Sequence, residues 1–291
     1  MKFVRFGELG RERPGVVDES GELRDMSMLV PDICPSTLST NLVACVEEAG
    51  VSSLPLVSGN PRLGAPVAQV GKFLAIGLNY IEHIAEANQP VPEEPVLFTK
   101  ATSCIVGAFD PIVLPRNSVK TDWEVELGVV IGRKAQYVDE HDALRYVFGY
   151  CVVNDVSERE FQLERGGSWD KGKGCDSFGP IGPYLVSADE VGDPQQLTMW
   201  LSVNGVQMQR GCTASMVFPI RRLVSYVSQF MTLQPGDIIT TGTPPGVGMG
   251  QKPLPVYLRE GDHVELGIEG LGAQSQRVVR WSFAAEYDPA K

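Results

Sequence analysis

The chain has 291 residues and a mass of 31.6 kDa, with 43% hydrophobic and 21% charged residues, a balance that allows a large core and excludes disordered, collagen-like and coiled-coil classes. Twenty-five Lys and Arg against 36 Asp and Glu leave a net charge of −11 and a pI near 4.8. Such a field repels polyphosphate and anionic lipid, so neither nucleic acid nor a membrane is expected as a partner. Small anions can then bind only where cations are concentrated, at a metal or a few placed Lys and Arg.

Six cysteines (Cys34, Cys45, Cys104, Cys151, Cys175 and Cys212) show no C-x-x-C spacing, which points to reduced thiols rather than a zinc or dithiol site. The N-terminal MKFVRFGELGRERPG breaks its apolar stretch with charge, unlike a signal peptide, and no apolar run reaches the ~18 residues of a membrane helix. A cytoplasmic protein is expected. The length suits one large domain with a small appendage, and 31 Gly with 21 Pro favour a β-rich α+β fold with many turns.

Residues 1–70 alternate short apolar pieces with turns: MKFVRFG, a hairpin turn at Glu19-Ser20-Gly21, then a predicted helix from Leu38 to Ala49. They read as a small N-terminal α+β unit, bounded by the Pro/Gly-rich segment 55–71. Residues 71–291 form the larger unit. KFLAIGL is a predicted buried strand and NYIEHIAEANQ a short helix that Asn79 could cap, ended by Pro90, Pro92 and Pro95. Strands are predicted at 124–132 and 145–155, and a hairpin at 197–209 around Asn204-Gly205, a type I′ signature. Val217, Ile220, Leu223, Val224, Val227 and Phe230 recur at helical spacing, and a final hairpin joins HVELGIEGLG to RVVRW. Strands and helices do not alternate regularly, which disfavours a doubly wound parallel sheet.

Glu124 and Glu126 are one residue apart on a predicted strand, so both carboxylates point to one face and Val125 and Leu127 to the other. On a core-facing strand such a pair calls for a cation, and all-oxygen ligands suit Mg²⁺, Mn²⁺ or Ca²⁺. An exposed edge strand with solvated glutamates is the alternative. Asp155, just past the apolar strand CVVND, would complete a tripod, although alone it would read as a turn former. His83 and Glu86 stand three apart on the short helix, a spacing at which a carboxylate can orient an imidazole as a base. His141 and His263 read as structural. WDKGKGCDSFGP puts two lysines among glycines without phosphate-loop spacing, and GTPPGVGMG precedes no helix, so it fails as a dinucleotide fingerprint. An anion-binding turn of backbone N–H groups and Thr243 fits the latter better.

IGLNYIEH, PVLFTK, DWEVELGVVIG, VVNDVSEREFQ, DKGKGCDSFGPIGP, LQPGDIITTGTPPGVG and VELGIEGLG occur in that order over 71–282, and together they resemble the fumarylacetoacetate hydrolase family. The resemblance implies a mixed β-sandwich roll, a homodimer, and Mg²⁺ or a related ion held by Glu124, Glu126 and Asp155. It places Arg159 and Gln162 of D-x-S-x-R-x-x-Q on the substrate or its developing oxyanion, and Thr243 on the substrate carboxylate. Tyr80 of IGLNYIEH and Lys100 of PVLFTK are assigned to substrate on the same ground. Lys173, rather than Lys171, aligns with the family lysine, and His83 with Glu86 form the water-activating pair on a helix that acts as a lid. The implied reaction is hydrolysis of the C3–C4 bond of an acylpyruvate-type 2-oxo acid. Within the family the pattern is similar to hydrolases of 2,4-diketo-3-deoxy-L-rhamnonate or L-fuconate, which yield pyruvate and lactate. A 2-oxo acid (oxaloacetate) decarboxylase, a keto–enol isomerase, a ureidoglycolate lyase and a non-catalytic binding protein are the competing readings.

Overall fold

The computed structural model describes residues 1–38 and 41–282. Two sheets dominate it. In the larger, of eleven strands, the main path runs Leu23–Asp25, Arg13–Val17, Lys2–Phe6, Leu185–Ser187, Val147–Asn154, Val125–Ile131, Ile238–Thr240, Phe73–Gly77 and Val96–Lys100. Gly179–Ile181 and Ile105–Gly107 pair parallel to each other at its side. The smaller sheet orders Val206–Cys212, Thr198–Val203, His263–Ile268, Gly272–Arg280 and Ile112–Leu114. Antiparallel and parallel pairs mix, so the fold is a sheet-rich α+β one.

The central strands form where apolar and β-branched residues are concentrated, as in Phe73–Gly77, Val125–Ile131 and Val147–Asn154. Val125–Ile131 is buried along its whole length, because strands flank it on both sides and the second sheet packs against it. Polar groups between the sheets are satisfied by buried glutamines. Gln209 Oε1 accepts from Val125 N at 3.0 Å, and Gln274 Nε2 donates to Val152 O at 2.8 Å. The first three strands extend the larger sheet through Lys2–Phe6, which pairs with Leu185–Ser187.

Several sequence expectations shift by a few residues. Asn204 and Gly205 have φ of 52° and 74°, the left-handed values of a type I′ turn, and the hairpin pairs as far as Thr198↔Cys212. The helix expected from Leu38 to Ala49 is divided into Pro35–Leu38 and Leu42–Ala49, with Asn41 capping the second; residues 39 and 40 lie outside the described residues. The amphipathic helix spans Ile220–Ser228. Pro219 sets its start, since the residue before a proline avoids helical geometry, and Phe230 lies past its end, exposed. Asn79 does not cap the helix Ile81–Glu86. Its side chain instead accepts from Phe218 N at 2.8 Å and donates to Thr241 O at 2.8 Å, tying three segments together below the site.

Candidate active site

Glu124, Glu126 and Asp155 each bring a carboxylate oxygen within 4.8 Å of the other two, and all three are buried. Strand register does this. Glu126 is paired with Val153 across the sheet, and Asp155 N donates to Glu124 O at 2.9 Å, so the two strand ends present their acids at one point. The solvated-edge alternative for the glutamates is thereby excluded.

Three buried cations answer these charges. Lys173 Nζ donates to Glu124 Oε2 at 2.6 Å and to Asp155 Oδ2 at 2.7 Å. Arg159 is bracketed by Asp122 Oδ2 at 2.8 Å and Glu124 Oε1 at 2.6 Å, and donates to Gln162 Oε1 at 3.0 Å. Lys100 Nζ lies 2.7 Å from Asp155 Oδ1, but off the line of a hydrogen bond. Nζ is directed to the carbonyls of Lys173 and Val156 instead. Burial favours the neutral form of Glu124, but Lys173 and Arg159 outweigh it and hold its pKa at about 2. Glu126 has the opposite fate: burial, then the charges of Asp155 and Glu124, push it well above the ordinary carboxylate range. Thr240 Oγ1 and Gly242 N both donate to its Oε2.

The set fits a hard divalent cation. Three clustered oxygen donors match its preference, and Asp155 Oδ1 is the one buried side-chain polar atom among the described residues that accepts no hydrogen bond. A cation there would also offset the repulsion from Asp155 and Glu124 that, after burial, raises Glu126.

A cavity of about 230 Å³ opens over the tripod, lined also by His83, Arg159, Gln162, Lys173 and Thr243. His83 Nδ1 is 2.9 Å from Glu86 Oε2, and the other carboxylate oxygen, Oε1, accepts from Gly246 N at 2.9 Å. Glu86 does not line the cavity; it holds the imidazole that does. A Cβ on Gly250 would lie 2.4 Å from Glu86 Cδ, so glycine there lets the loop close on the helix. The turn 242–250 does bind anions through its backbone, as expected, but these anions are the protein's own. Gly242 N serves Glu126, Gly246 N serves Glu86, and Gly248 N and Met249 N reach Asp122 at 2.6 and 2.9 Å.

Three expectations need correction. Tyr80 does not reach the cavity: it is fully buried, with its hydroxyl donating to Met199 Sδ at 3.3 Å. Lys100 lies beneath Asp155 and has no surface in the cavity, so it acts on the tripod rather than on a ligand. Thr243 does line the cavity, but its hydroxyl donates to Val125 O at 3.0 Å and accepts from Gln209 Nε2 at 2.8 Å, which commits its proton to the fold. The glycine- and lysine-rich segment, readable as a flexible loop, forms the helical turn Asp170–Lys173 with Lys173 buried and Lys171 exposed. Asp122 is a site residue that the acid pair alone does not indicate, although Asp122, Glu124 and Glu126 alternate at the period that puts strand side chains on one face. Phe98 and Trp169, edge to face at 5.2 Å in the cavity wall, carried no sequence signal.

Among the described residues no helix is long and apolar enough to cross a membrane. A protein of Burkholderia orbicola whose name gives no substrate is 61% identical over 277 residues, covering 95% of this chain and 98% of that protein. A maleylpyruvate hydrolase from Sphingobium sp. SYK-6, solved with manganese(II) and pyruvate, superposes with a TM-score of 0.80 at 30% identity, covering 97% of this chain and all of that one. A 5-carboxymethyl-2-hydroxymuconate delta-isomerase from Mycobacterium smegmatis gives a TM-score of 0.75 at 31% identity over the same shares. The fumarylacetoacetate hydrolase C-terminal model matches residues 72–279, the stretch that carries the acid tripod, the His83–Glu86 pair and the turn that clamps them, and the chain therefore belongs to the fumarylacetoacetate hydrolase family.

Proposed function

We propose that the protein is a Mg²⁺-dependent hydrolase that cleaves the C3–C4 bond of a 2,4-diketo acid, with 2,4-diketo-3-deoxy-L-rhamnonate or L-fuconate as substrate and pyruvate and L-lactate as products. The observation that carries this reading is the presence of the buried acid tripod and of His83, backed by Glu86, in one cavity. Glu124, Glu126 and Asp155 would hold the ion, and Mn²⁺ or Ca²⁺ suits the same oxygens. Once bound it supplies Lewis acidity towards the 2-oxo acid end of the substrate.

The remaining work falls to the chain. Glu86 holds Nδ1 of His83 and leaves Nε2 to take a proton from water. The hydroxide adds to C4, the C3–C4 bond breaks, and the electron pair passes to pyruvate as its enolate, which takes a proton at C3. Lys173, fixed by Glu124 and Asp155, and Arg159, fixed by Asp122 and Glu124, are pre-oriented cations where that charge grows. Gln162, whose Oε1 accepts from Arg159, keeps its amide N–H groups for substrate oxygen. The same reading includes a homodimer, a cytoplasmic location and a division near residue 70 into a small N-terminal unit and a catalytic one.

Turnover of the two diketo sugar acids, acetylpyruvate and oxaloacetate, each with Mg²⁺ and with EDTA, tests it by following pyruvate, the second acid and CO₂. Metal-dependent pyruvate and lactate from a diketo sugar acid are expected. CO₂ from oxaloacetate with the diketo acids untouched would establish the decarboxylase reading, and interconversion without cleavage the isomerase one.

A further inference from the structure

Outside the tripod, its paired cations and His83, the cavity wall carries no charge among the described residues. Among the described residues lining it, positive charge comes from Lys173, Arg159 and, when protonated, His83. Each already has a carboxylate within 3.0 Å: Glu124 and Asp155 for Lys173, Asp122 and Glu124 for Arg159, Glu86 for His83. The remaining wall includes Phe98, Leu163, Trp169, Ala87, Gln89 and Met249, none of them charged. Trp169 is fixed there by its contact with Phe98 and by Gly77, where a Cβ would come within 2.5 Å of the indole.

The charge balance leads to the same conclusion. With a divalent ion in place and His83 neutral as a base, Glu124, Glu126, Asp155, Asp122 and Glu86 bring five negative charges, and Lys173, Lys100, Arg159 and the ion bring five positive ones. The charges are thus matched without a ligand, and the carboxylate of a 2-oxo acid end would have the ion as its partner. A second would be left in a buried site with no free cation, which is costly because desolvation is not repaid by a partner. Gln89 and the amide of Gln162 provide neutral hydrogen-bonding groups instead.

We infer that the site takes 2-oxo acids with one carboxylate and an uncharged far end, apolar or hydroxylated, and rejects dicarboxylates such as maleylpyruvate, on which the structurally similar hydrolase acts. This rests on the reading of the cavity as a 2-oxo acid site.

Calorimetric titration of the Mg²⁺-loaded protein with 2-oxohexanoate, 2-oxoadipate and the neutral 6-amide of 2-oxoadipate tests it without any turnover. The three ligands share one six-carbon skeleton, and the amide separates charge from polarity. The expected result is that 2-oxohexanoate and the amide each bind at least about tenfold tighter than 2-oxoadipate. Leu163, half exposed at the end of the helix Arg159–Leu163, accommodates a longer side chain, and Leu163→Arg should narrow the gap at least several-fold. Equal or tighter binding of 2-oxoadipate to the unaltered protein would overturn the inference and leave the 2-oxo acid reading intact. So would a ratio unmoved by Leu163→Arg in a variant that melts normally. If none of the three ligands bound, the 2-oxo acid reading itself would fall, and the inference with it.

Discussion

Replacing Asp122 by asparagine keeps the shape of a fully buried side chain and removes its charge. Four donors converge on this carboxylate: Trp123 N at 2.8 Å and Gly248 N at 2.6 Å on Oδ1, and Arg159 Nε at 2.8 Å and Met249 N at 2.9 Å on Oδ2. An asparagine offers one acceptor oxygen, so the two donors facing its NH₂ group lose their partner. An unsatisfied buried donor costs about 1–3 kcal/mol, and breaking a buried ion pair from one side about 3–5 kcal/mol. These effects overlap, so a loss of about 4 kcal/mol is expected. At roughly 2–4 °C per kcal/mol for chains of this size, Tm should fall on the order of 10 °C. Thermal unfolding followed by circular dichroism, with EDTA and with Mg²⁺, measures it. A Tm within about 2 °C of the unaltered protein under both conditions would refute the claim that Asp122 anchors the 246–250 turn and Arg159. The same change frees the turn whose Gly246 N holds Glu86, so turnover should fall further than stability alone accounts for.

Glu86→Gln should lower kcat by about 10²-fold with KM little changed, since it weakens the orientation of His83 without touching the tripod; steady-state pyruvate release reads the split, and a KM effect alone would count against the base role. Lys173→Met should cost on the order of 10² or more in kcat. It also leaves Glu124 and Asp155 facing each other, so its Tm should depend more on Mg²⁺ than that of the unaltered protein, which paired melts would reveal. Because Glu126 is raised well above the usual range in the metal-free protein, the ion competes with a proton for it. Mg²⁺ affinity by calorimetry should therefore strengthen with rising pH until Glu126 ionises by itself, with heats that vary with the buffer as protons are released. For stability the two glutamates act in opposite directions. Glu124, lowered to about 2, stabilises the fold above its unfolded value of 4.5 and loses that contribution as pH falls towards 2. Glu126 costs metal-free stability as pH rises from 4.5 towards its raised value, so the Tm gained from saturating Mg²⁺ should grow over that interval.

Local signals in the chain account for much of this molecule. Largely apolar, β-branched-rich runs mark the strands Phe73–Gly77, Val125–Ile131 and Val147–Asn154, and Asn204-Gly205 marks its hairpin, because strand burial and φ > 0 turns depend on the residues themselves. Glu124 with Glu126, and His83 with Glu86, are legible for the same reason: Glu124 directly precedes the strand that carries Glu126, His83 and Glu86 share one helix, and the extended and helical periods set their facing. What joined them was not local. Asp155 reaches Glu124 through pairing of strands about 30 residues apart in sequence, and Glu86 meets Gly246 across 160 residues. Whether a polar residue faces a ligand or the protein's own interior also depends on who its neighbours are. Tyr80, Lys100 and Thr243 carry groups suited to binding substrate, yet Met199, Asp155 and Val125 occupy them. The sequence thus determined which chemistry the chain could perform, while the tertiary structure decided which side chains were left free to perform it, because a buried polar group bonds to the nearest partner that packing supplies.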